Sequence, residues 1–383
     1  MKIESNKEFA FTASGKELVA AFAKVIAATT YVKADDTKCV IAATSDKKLY
    51  VIGTSTDAIA AVQVAAKVKV SGTCRVEQDT LVGMMKNRAE LEFKCDGTKL
   101  FFAEVKGRYK ADISITEFDE DDITRLVYNI TFDSSESLSK NIVKEMTTSA
   151  KEVVLTDHYA QHELPVLFDI NKKRMLTYCF DQFHIAYRKS AHTSAKSFRM
   201  ALPAKAFALM EKFTDKDESE IAFAKHNGRF YVQGSGFLLV IPETQIEDEY
   251  YEMAPHYVST LAKMEPHSSA ELPKGVADAV QNMFSLMEQD TRMQMTLAGD
   301  EIQFQVSTGA GKVSDAYAAK CVGKKTVARL DPRVFMDLYR KVKGDKVKVG
   351  FFTIKGAASS FRFRRKTEEC ELILIGTYDA AKD

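Results

Sequence analysis

Three groups of residues have types and spacings that could do chemistry. Gly309-Ala310-Gly311-Lys312 is similar to a phosphate-binding loop, in which backbone N–H groups and a lysine cradle phosphates. Val313, however, stands where such a loop needs a magnesium-binding Ser or Thr, and Val306 where it needs its first Gly. His158 and His162 have the i, i+4 spacing of paired metal ligands, but neither an HExxH pattern nor a cysteine pair accompanies them. The six cysteines, Cys39, Cys74, Cys95, Cys179, Cys321 and Cys370, are scattered without any CxxC pair, which suits reduced thiols in cores and a cytosolic compartment. No Ser/His/Asp or Cys/His pattern emerges from spacing. The expectation is a protein that is not an enzyme and that takes no metal and no cofactor.

Cations at repeated positions are more informative. The formal net charge is only +1, yet residues 312–366 carry 16 Lys or Arg against four acids, and residues 112–136 carry eight acids with Arg125 as the one base. A basic surface of this kind attracts phosphate, though solvated strand faces in a lysine-rich protein give the same count. What separates the two readings is register. Lys86, Lys212 and Arg340 each follow an apolar anchor (Leu81, Phe207, Phe335) by five residues, and the anchors are 126 and 128 residues apart. Lys205 precedes the second anchor in the same segment.

These cations need helices to carry them. Each anchor lies in a segment that starts as a helix, with Pro203 and Pro332 fitting a first helical position and Asp331 an N-cap, and each is followed by alternating strand residues, Leu91/Phe93, Ile221/Phe223 and Val347/Val349. A second helix opens each repeat. Ser14-Gly15-Lys16-Glu17 reads as a capping box before Leu18, Phe22 and Val25, Asp133-Ser134-Ser135-Glu136 as another before Leu138, Ile142 and Met146, and Pro273 precedes Val276, Val280 and Phe284. Lys16 with Lys24, and Lys140 with Lys144, form stripes away from those apolar faces. The third opening helix has Asn282 instead, so Arg333, Lys341 and Lys343 supply the third repeat's charge. Short connections make the strands mostly antiparallel, so the expected class is α+β: three repeats of two helices and about eight strands. Acidic connectors at Glu117–Asp122 and Gln245–Tyr250 place the domains at 1–124, 125–252 and 253–383. No apolar run approaches the roughly 18 residues of a membrane span.

Three such repeats resemble the bacterial-type sliding DNA clamp, the β subunit of the replicative polymerase. Phe180-Asp181-Gln182-Phe183-His184-Ile185-Ala186 is similar to that family's Thr-Asp-Gly-His-Arg-Leu-Ala strand, with Asp181 and Ala186 matching and Ile185 conservative. Ile373-Leu374-Ile375-Gly376-Thr377-Tyr378 replaces the family's Val-Val-Met-Pro-Met-Arg-Leu end, as in a divergent, phage-encoded member. The resemblance implies a homodimer joined head to tail into a six-domain ring, helices lining the hole, with duplex DNA, a DNA polymerase and a clamp loader as partners at the replication site in the cytoplasm. It further implies a partner-peptide pocket at Phe183, Ile185, Ile246, Ile373, Leu374 and Ile375, although such apolar residues equally make plain strand core. Two rival readings stay open: a monomeric processivity factor that binds DNA without closing a ring, and a nuclease, which would need a carboxylate cluster that the linker-bound acids do not provide.

Overall fold

The computed structural model describes residues 6–29, 38–55, 58–116, 134–157, 162–194, 197–214, 220–288, 290–342, 347–353 and 358–380. Among them are seven α-helices: α1 (Gly15–Thr29), α2 (Gln78–Met85), α3 (Lys140–Val153), α4 (Ala204–Phe213), α5 (Asp248–Lys263), α6 (Val276–Met283) and α7 (Pro332–Val342). Several start where their caps predict. The Glu17 N–H donates to Ser14 Oγ over 3.4 Å, the Arg333 N–H donates to Asp331 Oδ1 over 2.9 Å, and α7 begins on Pro332. The anchors Leu81, Phe207 and Phe335 are each 0% exposed, and the burial of each contributes about 1.5–3 kcal/mol to holding its helix, beside the other buried side chains of the same helix.

One expected cap is overturned. Ser134–Ser139 is not the start of a helix but a strand, paired antiparallel with Glu220–His226, and α3 begins only at Lys140. Serine-rich residues serve as caps or edge strands alike, and here pairing decides. Asp133, His158, Lys343 and the connector Glu117–Asp122 lie outside the described residues. A junction at 252/253 would fall within α5.

Two compact units divide the chain: Met1–Lys144 with Lys205–Glu243, and Glu145–Ala204 with Thr244–Asp383. In the first, an eight-stranded antiparallel sheet runs through Ser134–Ser139, Glu220–His226, Arg229–Gln233, Phe237–Pro242, Ile59–Val64, Leu49–Thr54, Lys38–Ala43 and Gly72–Glu77. Its middle joint pairs Phe237 with Val62 and Val240 with Ile59, so strands 175 residues or more apart in sequence share one ladder. The same unit has a five-stranded sheet, in which Glu90–Asp96 alternates exposed and buried residues as the sequence predicts. In the second unit the central joint pairs His184–Ser190 with the long final strand Cys370–Ala380, which also pairs with Ser359–Lys366. Gly309 and Ala310 turn a hairpin between Glu301–Thr308 and Gly311–Ala318. The Gly-rich segment therefore opens no helix, and the strand-loop-helix context of a phosphate loop is absent there.

Candidate nucleic-acid surface and partner-docking site

The first unit holds seven of the expected DNA-binding residues. Lys16, Lys86, Lys144, Lys205 and Lys212 are exposed, while Lys24 and Lys140 are half-buried. Lys86 is the residue that stops α2, its backbone turning extended there, and Lys212 lies in the last turn of α4. The Lys24 ammonium donates to the Phe213 carbonyl over 3.5 Å, which brings the basic stripe of α1 against the C-terminal end of α4. Cations at helix C-termini are favoured by the helix dipole, so these placements carry little strain.

In the second unit Arg340 is exposed and donates to Gln281 Oε1 over 3.1 Å, joining α7 to α6. Arg333 and Lys341 are differently placed. Arg333 folds back onto its own N-cap carboxylate, Asp331, at 3.1 Å, and Lys341 pairs with Asp337 at 3.4 Å, with 13% of its side chain exposed. Both side chains are thus drawn to carboxylates of α7 and its cap, leaving Arg340 as the exposed cation of the three described.

The six expected pocket residues divide into three groups. Ile373 and Ile375 are buried in one apolar cluster with Leu167, Leu176, Tyr178 and Tyr187, and Ile185 and Ile246 pack against it half-buried. Leu374 is buried too, but strand alternation turns it away from the Ile373/Ile375 face, and it pairs with Ala186 and Phe363. Phe183 lines a separate cavity of about 250 Å³, along with His184, Leu330, Val334, Ala358 and Tyr378. Arg292 and Arg329 also line it, and Arg292 is held 3.0 Å from Asp331. The loop before this wall is set by Asp181, whose Oδ1 accepts the Phe183 and His184 N–H groups at 2.7 and 2.8 Å and lies 2.6 Å from His184 Nδ1. Burial pushes the Asp181 carboxyl up, but these hydrogen bonds and the His184 ring outweigh it, and its pKa ends lower than usual.

The helix that sequence reasoning missed, α5, covers the apolar cluster. Tyr251, Ala254, Val258 and Leu261 form its inner stripe, none more than 6% exposed. Pro255 sits inside this helix and supplies no N–H to the carbonyl four residues back, that of Tyr251. The Tyr178 hydroxyl, rising from the sheet below, donates to that carbonyl over 3.2 Å. Burial pushes this hydroxyl's pKa far up, so it remains a donor. At the other end the Arg362 guanidinium donates to the Leu261 carbonyl and, over 3.5 Å, to that of Met264, satisfying acceptors that a helix terminus leaves open. Tyr257 and Ser360 are hydrogen-bonded at 3.0 Å, and the Phe180 ring stacks on Tyr250 at 5.7 Å. Residues 251, 254, 258 and 261 have helical spacing, but the expected connector Gln245–Tyr250 was read on its acids, and its last three residues are the first turn of this helix.

Among the described residues no three His, Cys, Asp or Glu side chains are grouped to hold a metal, and no helix is long and apolar enough to cross a membrane. Cys39, Cys74, Cys95 and Cys179 are buried free thiols.

No family model matches the sequence, and no curated protein matches it either. Solved structures do match over the whole length. The chain is similar to the DNA polymerase III β chain of Streptococcus pneumoniae, at a TM-score of 0.76 and 12% identity, covering 97% of this chain and 100% of that one. It is similar to the DNA polymerase sliding clamp of Bacillus subtilis at 0.72 and 14%, covering 98% and 100%. A sliding clamp of Pseudomonas aeruginosa, solved bound to griselimycin, matches at 0.72 and 11%, covering 97% and 99%. With seven helices and antiparallel sheets among the described residues and end-to-end agreement with these proteins, the chain has the sliding-clamp fold of DNA polymerase III β subunits.

Proposed function

We propose that this chain is a DNA sliding clamp, a processivity factor that encircles duplex DNA and tethers a replicative polymerase without doing chemistry or holding a cofactor. The observation that carries this reading is the fold match spanning 98% of the chain and all of the Bacillus subtilis clamp. The exposed cations Lys16, Lys86, Lys144, Lys205, Lys212 and Arg340 fit contact with phosphates, which positions a duplex without reading its sequence. Three repeats, at 1–124, 125–252 and 253–383, make half of a six-domain ring. Two chains close it head to tail, residues 1–124 of one against residues 253–383 of the other, and a loader opens it. The clamp works in the cytoplasm at replication sites. Partner segments dock on the second unit, near Phe183 and the final strand.

Solution mass together with retention on DNA tests this. The expected result is a dimer of twice 42.8 kDa that stays on a nicked circle after loading and runs off the same DNA once it is linearised. A monomer that binds circle and linear DNA equally overturns it in favour of a non-ring factor.

A further inference from the structure

We propose that Cys95 and Cys74 form a dithiol that hydrogen peroxide oxidises, in which Cys95 reacts first and Cys74 closes a disulfide joining the two sheets of the first unit. The pair lies wholly within that unit, and its chemistry is the same whether or not the chain encircles DNA.

Strand geometry brings the thiols together. Cys74 belongs to Gly72–Glu77 in the eight-stranded sheet and Cys95 to Glu90–Asp96 in the five-stranded sheet. The sheets meet at the start of Glu8–Ser14. There the Thr73 N–H donates to the Asn6 carbonyl over 2.9 Å, and a Cβ on Gly72 would stand 2.3 Å from the Asn6 carbonyl oxygen and 2.9 Å from Phe9 Cβ. Phe9 in turn is the ladder partner of Cys95. The Cys74 and Cys95 side chains are hydrogen-bonded to each other, each 1% exposed. Cys39 is buried beside them: Cys74 pairs with Ile41, two residues along the neighbouring strand, so Cys39 stands diagonal to Cys74 on the same face.

The surroundings give the two thiols different roles. A thiol buried among apolar groups is ordinarily held protonated and inert, and burial does push Cys74 well up, with the bond to Cys95 adding to it. Cys95 goes the other way, down to about 7: the Cys74 thiol donates to it, which outweighs burial, and the Gly97 N–H donates as well. That N–H comes from a turn in which Asp96 Oδ1 accepts the Thr98 and Lys99 N–H groups, both at 2.8 Å, and Gly97 takes a φ of 89°. The thiolate is the form that attacks peroxide. As the Cys95 sulfur bonds one peroxide oxygen, the O–O bond breaks and the other oxygen leaves with a proton as water; the sulfur loses two electrons and the peroxide gains them. The Cys74 sulfur then attacks the sulfenic sulfur, the S–S bond forms as the S–O bond breaks, and hydroxide leaves with the Cys74 proton as water. A dithiol reductant reverses the bond by exchange. The loop so closed, residues 74–95, contains α2, its anchor Leu81 and Lys86, so oxidation ties down the helix that ends at this cation.

The test exposes the folded full-length protein to hydrogen peroxide, blocks the remaining thiols with N-ethylmaleimide in denaturant, and digests it with trypsin. A single chain is expected to take up four maleimides, six less the two sulfurs in the bond, and to yield residues 70–75 linked to residues 95–99, parted again by dithiothreitol. Cys74→Ser keeps a hydroxyl donor beside Cys95 but cannot close the bond, so peroxide should leave a sulfenic acid at Cys95 that dimedone traps. Should Cys74→Ser fail to fold, the linked peptide of the parent decides alone. Uptake of all six maleimides after peroxide, oxidation confined to the half-buried Cys321 and Cys370, a bond between Cys39 and Cys74, or a folded Cys74→Ser without a dimedone adduct at Cys95 each overturns the proposal.

Discussion

The bond between Tyr178 and the Tyr251 carbonyl can be weighed with a double-mutant cycle. Tyr178→Phe removes one donor from a carbonyl in a helix whose inner face is buried, and leaving a buried acceptor short costs about 1–3 kcal/mol. The ring itself stays, so the packing of Tyr178 against Tyr187 and Tyr251 is kept and the loss isolates the hydroxyl. Pro255→Ala restores a backbone N–H opposite the same carbonyl. In that background the Tyr178 hydroxyl becomes a second donor rather than the replacement for a missing one, and its deletion should cost less than about 1 kcal/mol. The expected coupling is therefore on the order of 1–2 kcal/mol, well beyond the roughly 0.3–0.5 kcal/mol scatter of independent sites. Pro255→Ala alone also enlarges the freedom of the unfolded chain by about 0.4–1 kcal/mol, but this enters both legs of the cycle and cancels. Urea midpoints of the four proteins, at unchanged slope, give the numbers. If Tyr178→Phe costs the same with Pro255 and with Ala at that position, the hydroxyl does not stand in for the proline's N–H and the account of α5 is wrong.

Four further outcomes are expected. Replacing Lys86, Lys212 and Arg340 by Gln should flatten the salt dependence of duplex binding by about 2.7 in log–log slope, roughly 0.9 per phosphate, whatever the base sequence; an unchanged slope in fluorescence anisotropy removes these residues from the interface. Arg188, 6% exposed, is held by Glu145, Ser149 and, at 2.7 Å, by Glu152, which Arg365 also reaches at 2.6 Å; Arg188→Met should cost about 3–5 kcal/mol by leaving two carboxylates short of their partner, and adding Glu145→Gln and Glu152→Gln should recover part of it in urea unfolding. Because the folded pKa of Asp181 is depressed, its stabilisation is present above the unfolded carboxylate value of about 3.9 and is lost as pH falls from there through the folded value, so the stability gap between parent and Asp181→Asn should hold above about pH 4 and narrow as the pH is lowered further; a gap that stays constant on acidification refutes the assignment. Ending the chain after Glu371 removes a strand paired on both sides, with Leu372, Ile373, Leu374 and Ile375 all 2% exposed or less, and should unfold the second unit in circular dichroism rather than merely weaken polymerase stimulation.

What the sequence disclosed and what it hid follow from how far apart the deciding partners lie. The anchored helices were legible because a Pro or Asp start, one buried side chain and a cation five residues later are all within a dozen residues of one another, and Asp331, Pro332 and Phe335 behave as that local pattern requires. Ser134–Ser139 was misread because its local signal, serines ahead of an acid, is shared by caps, while the partner that makes it a strand is Glu220–His226, more than 80 residues on. The pocket was hidden in the same way. Ile373, Leu374 and Ile375 are alike in sequence, and only the pairing with His184–Ser190 shows that alternate residues serve different faces. In α5, the apolar stripe and Pro255 gave opposite local signals, and the tie-breaker was a hydroxyl 73 residues away. Proline inside a helix is a defect only when its orphaned carbonyl finds no other donor; here Tyr178 supplies one, and a segment whose first residues read as a connector is a helix packed into the apolar cluster.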